Sequence, residues 1–279
     1  VLDRRVNSLA RSPSGNVILA GALSAPMLRS TDTGATWTST GAPYRGASFA
    51  SEQVVVAVRS FFSRIGRSTD GGQTWSEVFV GASGELRSVT MASSSIGFAV
   101  GSSGEVVRTT NGGQTWAPVA TSNTLPLNSS GCLTATLCLA GGFNGVLLRS
   151  TDAGATWSVG GVPVTGGAII REITRLSDTV ALLAADDGLW RSVDAGQTWT
   201  RVYAVVTGGM ASVAINSAGI GIATGGDGFL RSTDQGLTWV RLDLPVAFIG
   251  DSSLWVDANI VLVGGDGGAL LRNTQAGAP

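Results

Sequence analysis

LRSTDTGATW (28–37) returns along the chain as GRSTDGGQTW (66–75), VRTTNGGQTW (107–116), LRSTDAGATW (148–157), WRSVDAGQTW (190–199) and LRSTDQGLTW (230–239). The tryptophans that close these copies fall at 37, 75, 116, 157, 199 and 239, so the period is 38 to 42 residues. A seventh copy starts as LLRNTQAGAP (270–279). Six of the eight tryptophans in the chain serve this one position. A fixed period near 40 residues marks an array of small units that bury their apolar faces only against one another.

Between the motifs the chain reads as short strands. LRSVTMA (86–92) and IGFAVGS (96–102) are apolar at strand length, EVVRTT (105–110) leads into the motif, and a fourth strand follows Trp116. Four short strands per repeat is the pattern of a β-propeller blade. No 3.6-residue apolar period is sustained, which excludes a helical solenoid. The expectation is therefore one all-β domain, a seven-bladed β-propeller of four-stranded antiparallel blades. Its blades run over about 6–40, 44–80, 85–120, 127–160, 167–204, 209–243 and 247–279. Residues 1–5, strand-like and otherwise unplaced, are expected to supply the missing outer strand of the last blade and so close the ring.

Composition narrows the chemistry. The 279 residues include 40 glycines without a Gly-X-Y period, 13% charged residues and a net charge of −1. That balance excludes collagen, a disordered charged tail and electrostatic binding of nucleic acid by the molecule as a whole. All 18 basic residues are arginine, and histidine is absent. There is thus no imidazole base or metal ligand and no lysine for a Schiff base or a P-loop. Carboxylates, arginines, two tyrosines and two cysteines remain. No run of about 18 apolar residues occurs, so no membrane span is expected. The opening VLDRRVNSLA lacks the layout of a signal peptide.

Each motif has the form Ser/Thr-x-Asp-x-Gly-x-Thr-Trp and reads as a turn between the third and fourth strands. The acidic position is held by Asp32, Asp70, Asn111, Asp152, Asp194 and Asp234, and the closing ring by Trp37, Trp75, Trp116, Trp157, Trp199 and Trp239. The carboxylate can accept hydrogen bonds from its own turn, the glycine can take a positive φ, and the indole can fold under the hairpin. Asn111 keeps the acceptor oxygen without the acidity, which fits a turn better than acid–base chemistry.

These six copies resemble the Asp-box, or bacterial neuraminidase repeat, proteins. Within that group, IGFAVGSSGEVVRTTNGGQTW (96–116) looks like the photosystem II assembly and stability factor family. The resemblance implies a seven-bladed propeller that assists assembly of a membrane complex. Sialidases also carry Asp-boxes, but the Arg-Ile-Pro segment they use is missing; Arg64-Ile65-Gly66 is the nearest string. Asp-box glucanases place two aspartates across a cleft between two propellers, and this length accommodates one. The expected function is therefore a non-catalytic binding or assembly module for a protein partner, with no cofactor and no metal. A carbohydrate-active or carbohydrate-binding Asp-box protein is the alternative.

In a propeller the Asp-boxes mark one face, and the turns between strands two and three share the other with the entries into strand one. On that second face blade two carries Arg59, Phe61, Phe62 and Arg64, and the strand-one entries carry Tyr44, Arg45, Arg87 and Arg171. Arginine and aromatic residues are enriched where partners bind, which makes these eight the candidate docking surface. Packing of the two phenylalanines against a neighbouring blade is the competing expectation. Asp186, Asp187, Asp227 and Asp266 would form an acidic sector opposite.

Arg29, Arg67, Arg108, Arg149, Arg191, Arg231 and Arg272 recur just before the motif. Placement in every blade favours bonds to backbone carbonyls of the next turn over a ring that binds an anion. Cys132 and Cys138 flank a turn in blade four at a spacing suited to a disulfide, which points to an extracytoplasmic, periplasmic or secreted, location; two reduced core thiols are the alternative. GGDGF (225–229) and GGDGG (264–268) resemble calcium-binding repeats but lie a blade apart, so they read as hairpin turns.

Overall fold

The structure is a computed structural model that describes residues 5–275 except 24, 82–83, 161–163, 165 and 244–248. Seven antiparallel sheets follow one another in chain order, each a meander of consecutive strands. The innermost strands are Val6–Arg11, Tyr44–Phe49, Leu86–Met91, Leu127–Cys132, Ile170–Arg175, Met210–Ile215 and Gly250–Trp255. Each lies beside the innermost strand of the next blade, and the last lies beside the first, so the ring is closed. The chain is a seven-bladed β-propeller.

Second strands such as Val55–Arg59 and Ala181–Ala185 are short, apolar and buried nearly throughout. They are sandwiched between blades on both sides, which produces a continuous apolar run in place of an alternating one. The core is accordingly split into interblade clusters. Leu19 and Met27 meet Tyr44 and Val55 between blades one and two, and Leu139 meets Ile170 and Leu183 between blades four and five. Ile18 of blade one meets Val256 and Leu262 of blade seven, so the closing interface is built like the others.

The first six sheets have four strands, and the seventh shows Gly250–Trp255, Val261–Gly265 and Leu270–Asn273. The expected fourth strand falls on residues 1–4, which lie outside the described residues. Arg5 is described; it is in no strand and pairs with Asp251 and Asp266 of blade seven. Cys132 and Cys138 face each other across the first hairpin of blade four and form a disulfide. No helix among the described residues is long and apolar enough to cross a membrane.

The six complete motifs fold alike, except that Trp157 Nε1 is buried without the hydrogen bond its counterparts make. In blade one, Ser30 Oγ donates to Asp32 Oδ1 at 2.8 Å and accepts from Gly34 N at 2.9 Å. Thr36 donates its N–H to Asp32 Oδ1 at 2.9 Å and its hydroxyl to Oδ2 at 2.6 Å. Trp37 Nε1 donates to Gly34 O at 3.1 Å. The threonine hydroxyl, then its N–H, hold Asp32, Asp194 and Asp234 down at about 2. Partial burial opposes the shift at Asp70 and Asp152, and the same hydrogen bonds overcome it, again reaching about 2. Asn111 performs the role with its amide: Oδ1 accepts from Thr109 Oγ1 and Thr115 N while Nδ2 donates to Thr115 Oγ1. The side-chain oxygens of the six acidic-position residues are thus engaged inside their own turns.

Two neighbouring residues of each turn have positive φ, the glycine and the residue before it. The second is not always glycine: Thr33, Ala153, Ala195 and Gln235 lie at φ 57–63°. The unusual backbone directs that residue's carbonyl at the previous blade, where the pre-motif arginine waits. Arg29 Nε donates to Gly71 O at 2.9 Å, Arg67 to Gly112 O at 2.7 Å, Arg108 to Ala153 O at 2.9 Å and Arg149 to Ala195 O at 3.2 Å. Arg191 reaches Gln235 O at 3.1 Å, and Arg272 of blade seven reaches Thr33 O of blade one at 3.0 Å. These arginines are interblade latches, and the last of them closes the ring.

Candidate functional site

The face opposite the Asp-boxes is shaped by a backbone irregularity that recurs in all seven blades. Pairing between strands one and two skips a residue near the start of strand one, between Val6 and Ser8, Tyr44 and Gly46, Leu86 and Ser88, and at the same place in the other four. A β-bulge of this kind leaves one residue unpaired and re-aims its side chain. Opposite it, glycine is needed in several blades: a Cβ on Gly101 or Gly142 would lie 2.1 Å from Glu85 O or 2.0 Å from Pro126 O.

The bulged residues therefore line the mouth of the central channel, and they differ from blade to blade. Arg45, Arg87 and Arg171 supply cations, Asn7 and Asn128 amides, Asp251 a carboxylate, and Ala211 leaves a gap. The mouth encloses about 290 Å³. Glu85, in the linker before blade three, organises its basic side. Glu85 Oε1 accepts from Arg45 Nη1 at 2.9 Å and from Phe61 N at 3.4 Å, while Oε2 accepts from Arg87 Nε at 3.3 Å. Burial lowers the pKa of Arg45, with Glu85 opposing the shift and Arg87 adding to it. Two guanidinium groups on one carboxylate leave this sector net positive.

Beside it, Phe61 and Phe62 are 62% and 49% exposed, so they do not tuck against the neighbouring blade. Phe61 has φ 63°, a conformation a bulky side chain seldom adopts. The guanidinium carbons of Arg59 and Arg64 each lie 5.5 Å from the centre of the Phe62 ring, and Arg64 pairs with Glu77 at 3.0 Å. Arg87 lies 5.1 Å from the ring of Phe143. Arginine stacked on an aromatic face keeps donors free for a ligand.

Of the eight expected docking residues, seven lie on this face and Tyr44 is the exception. It is 8% exposed, packs its ring 4.7 Å from Trp75, and its hydroxyl fills the space where a Cβ on Gly66 would stand. It holds the residue before the bulge, which points between blades. The expected acidic sector also needs correction. Arg171 pairs with Asp186 at 2.7 Å and Arg5 with Asp266 at 2.6 Å. Asp227 is 3% exposed and accepts from Val206 N, Thr207 N, Thr207 Oγ1 and Tyr203 Oη, so it clamps a loop. Asp187 accepts from Trp190 Nε1 at 2.9 Å.

Arg5, Glu85, Asn7, Asn128 and Asp251 were not singled out from the sequence. Aligning the seven strand-one entries would have placed Asn7, Asn128 and Asp251 in register with Arg45, but nothing local marks the bulge. Asp251 is raised to about 6, because burial outweighs the attraction of Arg5 and Asp266 adds repulsion.

The BNR/Asp-box repeat model matches residues 67–77. No curated protein matches the sequence significantly. Among solved structures, YCF48 from Cyanidioschyzon merolae is similar at TM-score 0.77 and 20% identity, covering 98% of this chain and 96% of its own. A structure of YCF48 bound to D1 peptide is similar at TM-score 0.77 and 16% identity, covering 98% and 94%. The GH74 xyloglucanase from Xanthomonas campestris has TM-score 0.82 at 14% identity, covering 100% of this chain, which spans about half (54%) of the enzyme. By its motifs and its architecture, the chain is a seven-bladed propeller built on BNR/Asp-box repeats.

Proposed function

We propose that the chain is a non-catalytic docking propeller that binds an extended segment of a protein partner on the face carrying the channel mouth. The observation that carries this reading is the joined cluster on blades two and three. Glu85 ties Arg45 and Arg87 to the turn that presents Phe61 and Phe62, and Arg59 and Arg64 stack on Phe62. Such a surface offers apolar area, net positive charge and fixed donors together, which suits a segment bearing carboxylates and apolar side chains. The similar fold of YCF48 bound to D1 peptide supports a peptide ligand. The resemblance to photosystem II assembly and stability factors supports an assembly role at a membrane complex. The disulfide supports an extracytoplasmic site of action.

Affinity capture from native membranes tests the reading. The Phe62→Ser/Arg59→Ser variant, with an unchanged melting temperature, is expected to lose at least tenfold of the partner recovered by the wild-type chain. Equal recovery would remove the docking surface. A carbohydrate-active role is the second reading, favoured by the GH74 resemblance. It predicts turnover of xyloglucan or of fluorogenic glycosides, and the hydrogen-bonded box aspartates offer no acid–base pair for it.

A further inference from the structure

The turn that presents Phe61 and Phe62 is gripped on both flanks by carboxylates held on blade three. On one side Phe61 N donates to Glu85 Oε1 at 3.4 Å. On the other, the hydroxyl of Ser63 donates to Glu105 and lies 2.7 Å from each carboxylate oxygen. Both glutamates hang on one short segment, the mouth-side turn Ser102–Gly104 of blade three. Ser102 Oγ accepts from Glu85 N at 2.8 Å, and Ser102 N donates to Glu85 O at 2.9 Å. Glu105 N donates to Ser102 O at 3.1 Å. The linker that leaves blade two packs on the same spot. Gly81 N donates to Ser63 O at 2.6 Å, and a Cβ on Gly81 would stand 2.6 Å from Ser63 Cβ.

The fold does not require an acid at position 105. The same place in the turn is held by Val146 in blade four and by Ala269 in blade seven, and both keep the backbone bond that Glu105 makes, Val146 N to Phe143 O and Ala269 N to Asp266 O. What differs is the neighbour. The blade-two turn, 59–64, is one residue longer than 101–105 or 142–146, and it carries a phenylalanine at positive φ where those turns carry Ser103 and Asn144. A bulky residue stays in that region only where its surroundings over-determine it. Ser63 is 4% exposed, so the hydroxyl that meets Glu105 is enclosed and the grip is built into the packing.

We propose that Glu105 is a positioning residue for docking: acting through Ser63 from the neighbouring blade, it holds the Phe61–Phe62 turn in its binding shape before a partner arrives. The proposal rests on the reading of this face as the docking surface. A preformed turn removes the need to order two large side chains and a rarely populated backbone on binding, which tightens association without any contact between Glu105 and the partner.

The test compares Glu105→Val, Glu105→Gln and Ser63→Ala in the full chain. Valine is the residue blade four holds at this place, so the fold is kept while the acceptor is lost; glutamine retains an oxygen that accepts from Ser63. Limited trypsin digestion of the free chain, read by mass spectrometry, follows cleavage after Arg59 and Arg64, which bracket the turn. Glu105→Val and Ser63→Ala are expected to be cut there about tenfold faster, reporting a larger open population, with glutamine close to wild type. In capture from native membranes, the same two variants are expected to recover at least fivefold less partner at an unchanged melting temperature, and Glu105→Gln to restore it. Wild-type cutting of Glu105→Val overturns the positioning role whatever capture shows, and equal loss in the valine and glutamine variants removes the hydrogen bond as its cause. Phe62→Ser/Arg59→Ser separates the two readings. If that variant loses the partner while Glu105→Val keeps it, the docking face stands and Glu105 does not position it; if it keeps the partner, the docking face itself is wrong.

Discussion

The two faces of the propeller use the same seven-fold backbone in opposite ways. On the Asp-box face six turns are built from the same letters, and their hydrogen bonds end inside the turn or on the adjacent blade. On the mouth face a bulge recurs in every blade, but the residue it presents changes from arginine to asparagine, alanine or aspartate. Where repetition reaches the side chains, the chemistry is consumed by architecture. Where only the backbone repeats, side chains are left to meet something else. A fold of nearest-neighbour units permits this division because each interblade interface is satisfied locally.

The sharpest way to break the comparison is through an indole. Trp157 packs edge-on at 4.8 Å against Phe98 of the preceding blade, and Gly154 of its turn rests on the same ring. Trp157→Ala is expected to cost about 3 kcal/mol, the low end for a large aromatic because one side of the ring is exposed. Chemical denaturation measures it, and a loss below about 1 kcal/mol would mean that the boxes are ornaments on a core that stands without them.

The pH dependence of stability separates the faces again. The box aspartates titrate at about 2 in the folded chain and at about 3.9 when unfolded. Their contribution is complete above the unfolded value and is lost as pH falls through about 4 toward 2. Glu172 and Asp251 are raised, to about 7 and about 6, so the folded chain holds their protons more tightly than the unfolded one. They therefore cost stability at high pH, and that cost is relieved as pH falls from about 7 to about 4. Melting temperature is expected to rise from pH 8 to pH 5 and to drop below pH 4. Glu172→Gln should reduce the upper limb to the part due to Asp251 and leave the lower one. A profile that is flat above pH 5 in the wild-type chain would remove the two raised carboxylates from the account.

The same contrast explains what could be read in the sequence. A tryptophan every 38 to 42 residues repeats a solved packing problem, so blade number, turn chemistry and the role of Arg29 and its counterparts were legible. The disulfide was legible because its two cysteines sit opposite each other across a hairpin. The mouth was harder because its organising feature is a backbone bulge that no residue type announces. Tyr44 and Arg45 are adjacent, and only the bulge decides that the first faces the core and the second the channel. Glu85 lies in a linker whose course depends on both neighbouring blades, and Glu172 reads as one more polar residue in a strand.

The smallest expected effect tests whether strain on the mouth face serves structure or binding. Thr33 and Ala153 adopt positive φ in the boxes because their carbonyls must meet Arg272 and Arg108. Phe61 adopts the same conformation at φ 63°, yet its ring is 62% exposed and its N–H reaches Glu85 only at 3.4 Å. Phe61→Gly relieves strain of order 1 kcal/mol but frees the unfolded chain by a similar amount, so stability should change by less than about 0.5 kcal/mol. Recovery of the partner should fall, because the turn no longer carries its aromatic tip. If denaturation showed a loss above about 1 kcal/mol, Phe61 would belong with the box residues as a structural element. If neither stability nor recovery moved, its strained backbone would serve neither face.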